Sequence, residues 1–344
     1  MKTFTLLLTS LLLMACALTA PLTQGTETPT AETGASLSST SEPTASPSPA
    51  AAPPPASETQ QPALSTNQPP PGNLPQGGPG GQSLTPTLAD VTYCTMDGVE
   101  LKMDLYYPAE GTGPYPVAMY VHGGGWSKGD KAEGAGAKEI LPLQSAGFLV
   151  VAVNYRLAPD YQFPAMIEDV KCAVRSLRAH TAEYNLDPNR IGGWGGSAGG
   201  HLVSLLGTTD KSAGFDVGEY LEYSSRVQAV VDMFGPADLT VQFSGGYESA
   251  RRVFNGFDAA LASPVTYVTA DDPTFLMLHG EKDEVVPIEQ SQILLAALQA
   301  AGVPAELVPV VNANHSFKPD GGQINPSRSE ITQLIVAFFE ETLK

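Results

Sequence analysis

Residues 190–201 read RIGGWGGSAGGH, and the interpretation of the whole chain starts from them. The apolar segment 191–194 predicts a short buried strand, and the apolar positions of 202–206 predict the helix that follows it. Between them, 195–199 has the G-x-S-x-G pattern of a nucleophile elbow, a turn so tight that Ser197 takes a strained backbone conformation. The pattern alone also fits a glycine-rich loop with a surface serine, so its surroundings have to decide.

Strands and helices alternate along the chain from residue 88 onwards. Asp97-Gly98 predicts a hairpin within 90–108. Buried strands are predicted at 116–121, 148–155, 191–194, 227–234 and 273–279, and a last strand at 306–311. Helices are predicted at 165–184, 288–301 and 329–343. This alternation predicts a mostly parallel sheet with helices on both faces, in which ligands bind at the carboxyl ends of the strands.

Two side chains that follow predicted strands complete a Ser-Asp-His order with Ser197. Asp283 lies in the loop after the strand 273–279, where a carboxylate that orients the base is expected. Its alternatives are a turn or helix-cap role, and Glu281 and Glu284 are local competitors. His315 follows the last strand and is the one of five histidines with the chain position of the general base.

A second glycine-rich segment, HGGGW at 122–126, follows the strand 116–121. Its backbone amides can approach a ligand closely because glycine has no Cβ. Gly124 and Gly125, together with Ala198, are therefore the predicted oxyanion-hole donors. A plain flexible turn is the alternative.

Five motifs in order carry a resemblance to a known family. They are HGGGW at 122–126, NYRLAP at 154–159, FPAMIED at 163–169, GGSAGG at 195–200 and HGEKDEVVP at 279–287. Over about residues 90–344 the chain resembles the α/β-hydrolase esterases. It is most similar to the hormone-sensitive-lipase-like carboxylesterases and to the BD-FAE group (acetyl-xylan and feruloyl esterase-like).

The resemblance implies an α/β-hydrolase fold with a mostly parallel eight-stranded sheet, and ester hydrolysis without a cofactor or metal. It also implies that Asp169 is structural. The segment 88–121 is too short for an N-terminal helical cap, so we expect no large cap and a relatively open acyl pocket. Trp126 and Tyr155 are candidates for the substrate-binding mouth, although both fit the core equally well.

The first 87 residues have a different composition from the rest. Lys2 and the apolar segment 6–14 predict an export signal that is too short to span a membrane. Leu13-Met14-Ala15-Cys16 resembles a bacterial lipobox, so 1–16 is interpreted as a lipoprotein signal with lipidation at Cys16; a signal peptide cut near Ala20, giving a secreted protein, is the alternative. The Pro/Ser/Thr-rich segment 17–87 predicts a disordered tether before a catalytic domain at 88–344.

Composition excludes some partners. The net charge of −18, without a cluster of Lys and Arg, argues against nucleic acid. Membrane contact is expected only through a lipidated Cys16. After that residue only Cys94 and Cys172 remain, either bridged or as two buried thiols. No Cys/His cluster has metal-ligand spacing.

These observations lead to three hypotheses. The first is a surface-tethered serine carboxylesterase acting on short-chain acyl or hydroxycinnamoyl esters, with plant polysaccharide among its candidate substrates. The second is a prolyl-oligopeptidase-like serine peptidase, although the tether cannot supply the propeller usual in that group. The third is a non-catalytic binding module on the same fold.

Overall fold

The computed structural model describes residues 84–241 and 247–344; side chains are described from Ala250 onwards in the second range. The predictions made for 1–16, for lipidation at Cys16 and for the tether as far as residue 83 lie outside these residues. None of the helices in the described ranges is both long and apolar enough to cross a membrane.

Eight strands form one sheet, in the order β1-β2-β4-β3-β5-β6-β7-β8. Strand β2 pairs antiparallel with β1 and β4, and all other pairs are parallel. The strands are β1 (Leu88–Met96), β2 (Val99–Tyr106), β3 (Tyr115–Val121), β4 (Leu149–Val153), β5 (Leu186–Gly196), β6 (Ala229–Met233), β7 (Thr274–Gly280) and β8 (Ala305–Val310). The prediction of a mostly parallel eight-stranded sheet is confirmed.

The central strands are buried along almost their whole length. All five residues of β4 and all five of β6 are buried, which is the pattern of parallel strands covered on both faces. The β1–β2 hairpin turns at Asp97 and Gly98, whose φ angles are +51° and +79°. Two positive φ angles in succession fit the two-residue turn that the sequence predicts.

Helices cover both faces of the sheet. They are α1 (Ile140–Ser145), α2 (Ala165–Ala179), α3 (Thr181–Tyr184), α4 (Ala198–Thr208), α5 (Tyr247–Val253), α6 (Glu289–Ala300) and α7 (Arg328–Leu343). Apolar side chains of α2, α4 and α6 pack in one core. Those of α1 and α7 pack in a second core on the opposite face. Alternate residues of β4, such as Val150 and Val151, point into these two cores.

A disulfide joins Cys94 of β1 to Cys172 of α2, with 6.4 Å between the Cα atoms. The sequence left this pairing open. Next to the bridge, Asp216 accepts hydrogen bonds from Lys171 Nζ at 3.0 Å and Arg175 Nη1 at 2.8 Å. The excursion 209–225 is therefore fastened to α2.

The segments that carry the predicted site residues all leave the sheet at its carboxyl edge. HGGGW follows β3, Ser197 follows β5, and the loop with Asp283 follows β7. A short hairpin of β9 (Ala313–Asn314) and β10 (Lys318–Pro319) comes after β8 and encloses His315. The topology alone thus brings residues from distant parts of the chain to one edge.

Candidate active site

Ser197 lies at the turn from β5 into α4, with φ +57° and ψ −120°. This strained conformation leaves no room for side chains nearby: a Cβ on Gly199 would lie 2.1 Å from the Val121 carbonyl oxygen. The Ser197 amide donates to the Met233 carbonyl at 2.9 Å, which fixes the turn against β6. The local fold therefore holds the Ser197 hydroxyl at the N-terminus of α4, at the carboxyl end of β5.

Three side chains form one hydrogen-bonded chain. His315 Nε2 lies 3.1 Å from Ser197 Oγ, and His315 Nδ1 lies 2.7 Å from Asp283 Oδ2. A carboxylate only accepts hydrogen bonds, so Nδ1 carries the proton and Nε2 is free to accept from the serine hydroxyl. The structure brings the predicted nucleophile, base and orienting carboxylate together in the order that general-base activation needs.

Asp283 is fixed by more than the imidazole. Its Oδ1 accepts the backbone amides of Val285 and Val286, both at 2.9 Å. Burial raises the pKa of Asp283, but the neighbouring His279 and His315 and the Val286 amide outweigh burial and hold that pKa well below its usual value. The carboxylate is therefore ionised throughout the neutral range and keeps its negative charge behind the imidazole.

The backbone around His315 is also specifically held. Asn314 Oδ1 accepts the His315 amide at 2.7 Å. The ring of Phe234 meets the imidazole edge-on, with 4.8 Å between ring centroids. Only 19% of the His315 side chain is exposed, so the imidazole reaches the solvent on one side while its orientation is fixed.

The glycine-rich loop forms a wall of a cleft of about 730 Å³ that opens over Ser197. Gly124 and Gly125 line it and have φ angles of +115° and +61°. A Cβ on Gly124 would lie 2.0 Å from the Lys128 carbonyl oxygen, so the loop is folded tightly on itself. Ala198 is the first residue of α4, where a helix leaves its amide without a helical partner. Gly124 and Gly125 therefore line the same cleft as Ser197, and Ala198 is the next residue after it; an oxyanion hole formed by their amides stays a prediction.

The two predicted mouth residues behave differently. Trp126 lines the cleft, but it is 4% exposed and its indole Nε1 donates to His201 Nδ1 at 3.2 Å. Tyr155 does not line the cleft: it stacks on the His122 ring, and its hydroxyl donates to the His122 carbonyl at 2.9 Å. Tyr155 therefore takes the core position that the sequence left open as its alternative, where its hydroxyl helps to hold the glycine-rich loop.

The carboxylate bonded to His315 Nδ1 is that of Asp283, and not that of its competitors Glu281 and Glu284. Glu281 and Glu284 are exposed, whereas Asp283 is 7% exposed. Asp169 is fully buried and binds the Arg156 backbone and guanidinium at 2.8 and 2.9 Å. That contact fits the structural role that the resemblance implies.

The other four histidines are bonded away from the Ser197 hydroxyl. The nearest partners are Gly123 O for His122 (2.7 Å), Ser176 O for His180 (2.8 Å), Ala262 O for His201 (2.7 Å), and Ser291 Oγ and Val286 O for His279 (both 2.7 Å). His315 is therefore the histidine available to Ser197.

Burial of His201 has a consequence for stability in acid. Full burial lowers the pKa of His201 to about 4, although its bond to Ala262 acts in the other direction. In the unfolded chain that pKa is about 6.5, so between these values the unfolded state binds more protons and stability falls as the pH falls. We expect His201→Asn to be less stable than the wild type at pH 7, with the difference in unfolding free energy smaller by about 2 kcal/mol at pH 5. Urea unfolding at both pH values measures this, and a difference that does not change with pH would contradict it.

Within residues 84–241 and 247–344, no group of three or more His, Cys, Asp or Glu side chains could hold a metal ion. Of the described residues in 209–225 and 239–261, none lines the cleft over Ser197.

The sequence analysis missed two residues that contribute to the site, Phe234 and Asn314. Phe234 has φ +48°, and a single phenylalanine after a strand gives no sequence signal of its contact with the imidazole.

Comparison with known proteins agrees with this geometry. The chain is 35% identical over 218 residues to the probable carboxylic ester hydrolase LipM of Mycobacterium tuberculosis, covering 60% of this chain and 50% of that protein. It thus spans about half the length of the curated relatives that it matches.

Two solved structures are similar over most of the described residues. A truncated carbohydrate esterase from gut microbiota has a TM-score of 0.63 and 30% identity, covering 74% of this chain and 95% of that one. Esterase 2 of Thermogutta terrifontis, phosphonylated by sarin, has a TM-score of 0.67 and 27% identity, with the same two coverages. Both support the α/β-hydrolase fold. Since the BD-FAE family model matches residues 103–298, more than half of the chain, this protein belongs to the BD-FAE family.

Proposed function

We propose that this chain is a serine carboxylesterase that hydrolyses carboxylic esters through an acyl-enzyme on Ser197. The observation that carries the proposal is the hydrogen-bonded chain Asp283–His315–Ser197, which ends in a cleft lined by glycine backbone. The relatives named as esterases support the same reaction type.

The mechanism follows from the positions of the atoms. Ser197 Oγ attacks the ester carbonyl as His315 Nε2 takes its proton, and the imidazolium then returns that proton to the leaving alcohol. Asp283 keeps the proton on Nδ1 and stabilises the imidazolium. The amides of Gly124, Gly125 and Ala198 would donate to the oxyanion, and one such donor is commonly worth about 3 kcal/mol of barrier. Water then attacks the acyl-enzyme with His315 again as the base.

The cleft is lined by both polar and apolar side chains. Ser127, Lys128 and Glu133 are among the polar ones, and Phe234 and Pro236 are among the apolar ones. We propose that a short acyl or hydroxycinnamoyl group contacts the apolar residues, and that a polyhydroxylated alcohol such as a polysaccharide contacts the polar ones. A structural neighbour named a carbohydrate esterase supports this substrate class.

A panel of substrates tests the proposal. The full-length chain is assayed on p-nitrophenyl esters of increasing acyl length, methyl ferulate, acetylated xylan and a peptide p-nitroanilide. We expect turnover of acetate and butyrate esters and none of the anilide. Cleavage of the anilide alone would indicate a serine peptidase, and ligand binding without turnover would indicate a non-catalytic module.

We also propose that the protein is exported and anchored to the bacterial surface through a lipid on Cys16. The sequence around Cys16 and the Cys94–Cys172 disulfide support an oxidising, extracytoplasmic location. Metabolic labelling with an alkyne fatty acid should mark the wild type and not Cys16→Ala. Equal labelling of both would rule out this anchor, and an unlabelled protein in the medium would support secretion instead.

A further inference from the structure

His201 lies on α4, one turn beyond Ser197, and its ring points away from the serine hydroxyl. Its amide donates to the Ser197 carbonyl at 3.0 Å, and the residue is completely buried. Both ring nitrogens are used: Nδ1 lies 3.2 Å from the Trp126 indole Nε1, and Nε2 lies 2.7 Å from the Ala262 carbonyl oxygen. An indole N–H only donates and a carbonyl only accepts, so Nδ1 is the acceptor and Nε2 carries the proton.

This imidazole joins two parts of the site that come from different strands. Trp126 directly follows Gly124 and Gly125, while α4 begins at Ala198, immediately after Ser197. The Trp126–His201 hydrogen bond is therefore a side-chain connection between the loop with two predicted oxyanion donors and the helix with the nucleophile. Its strength is increased by its surroundings, because a hydrogen bond excluded from water is electrostatically stronger.

Aromatic rings enclose that hydrogen bond. The ring of Phe254 lies 5.0 Å from Trp126 and 5.6 Å from His201, measured between centroids, and Phe163 lies 6.3 Å from His201. All of these rings are at least nine-tenths buried. No solvent is at hand to replace the imidazole if its acceptor atom is lost.

A run of glycines has no side chains with which to fix its own position, so contacts at the two ends of the loop help to hold it. At the start, the Tyr155 hydroxyl donates to the His122 carbonyl. At the end, the Trp126 indole donates to His201, and the Trp126 carbonyl accepts the Ala158 amide at 2.9 Å. Of the two contacts at the end, the indole hydrogen bond is the one that connects the loop to α4.

We propose that His201 is a positioning residue: by accepting the indole hydrogen bond of Trp126, it fixes the Gly124 and Gly125 amides where they stabilise the oxyanion formed at Ser197. The inference rests on the proposed esterase activity. A displaced oxyanion donor weakens binding of the transition state more than binding of the substrate, so its loss lowers kcat and leaves KM little changed.

Two substitutions separate the two contacts of His201. In His201→Asn, the side-chain oxygen can occupy the place of Nδ1 and accept from the indole, while the contact to Ala262 is lost. In His201→Gln, the amide nitrogen can reach the place of Nε2 and donate to Ala262, while nothing replaces Nδ1. We expect His201→Gln to lower kcat about 100-fold with KM within about twofold, and His201→Asn to keep kcat within about threefold. Trp126→Phe, which removes the indole donor together with one fused ring, should lower kcat at least as much as His201→Gln, and adding His201→Gln to it should cause little further loss.

The role would be overturned if Asn and Gln lowered kcat equally, if KM rather than kcat changed, or if the losses followed the Tm of each variant. A second readout does not depend on turnover. The protein has two tryptophans, Trp126 and Trp194, so ¹⁵N spectra contain two indole signals, and that of Trp194, bonded to Gly136 O, is the reference. The Trp126 indole and the Gly124 and Gly125 amide signals should shift in His201→Gln and much less in His201→Asn. Unshifted glycine amides in His201→Gln would end the inference even if wild-type turnover were absent, whereas wild-type inactivity alone counts against the proposed function.

Discussion

Replacement of Ser197 by alanine should lower kcat about 10⁶-fold on any ester that the wild type hydrolyses. No other hydroxyl in the described structure contacts His315 Nε2, so the base has nothing else to activate. The protein should remain folded. The +57° φ angle at this position is imposed by the turn and by the hydrogen bond from the Ser197 backbone amide to the Met233 carbonyl, and neither needs the hydroxyl. Steady-state kinetics on p-nitrophenyl acetate and a thermal melt measure the two effects.

The matched control for this variant is Ser212→Ala. Ser212 is exposed, bonds to Asp210 and lies outside the cleft, so the same change there should leave kcat unaltered. If Ser197→Ala kept activity within about 100-fold of the wild type, a different nucleophile would be required.

Replacement of Asp283 by asparagine should lower kcat about 10⁴-fold without unfolding the protein. The Val285 and Val286 amides both donate to Oδ1, so the asparagine oxygen will take that place and its amide nitrogen will face His315. A donor there stabilises the imidazole tautomer with a bare Nδ1. The proton then sits on Nε2, which cannot accept from Ser197.

The neighbouring exposed carboxylate provides the comparison. Glu281→Gln removes the same charge two residues away, outside the cleft, and should retain wild-type kcat. Kinetics of both variants over a range of pH would show whether the loss is specific to Asp283. Equal losses in the two variants would mean that local charge, rather than the imidazole tautomer, is what matters.

Much of the fold, and the positions of the site residues in the sequence, can be predicted from local patterns. The apolar runs that became β3, β4, β6 and β7 are buried on both faces, and such runs carry a strong signal. Glycine is required at 195 and 199 because a Cβ at either position would lie less than 3 Å from neighbouring backbone atoms. This requirement makes the elbow recognisable from its glycine pattern. Motif form then favours Asp283 over Glu281 and Glu284, and chain order favours His315 over the other histidines.

What the sequence did not supply are contacts between residues far apart in the chain. Tyr155 and Trp126 are aromatic residues of the kind often found in binding sites. The direction of each side chain, however, depends on tertiary packing, which the periodicity of the sequence does not encode. The pairing of Cys94 with Cys172 depends on how α2 crosses β1, which spacing leaves undetermined. The β9–β10 hairpin is only two residues per strand, too short for alternation to reveal it.

The disulfide has a mechanical consequence. Strand β1 is at the edge of the sheet and pairs with one neighbour only, so by hydrogen bonds alone it could peel away while the rest of the domain stayed intact. The covalent link to α2 limits such peeling: separation of β1 that begins at Leu88 is stopped at Cys94, and tension on the preceding chain is transmitted through the bond to a helix packed in the core on one face of the sheet. Reducing agents should therefore expose the β1 amides to hydrogen exchange before any other strand.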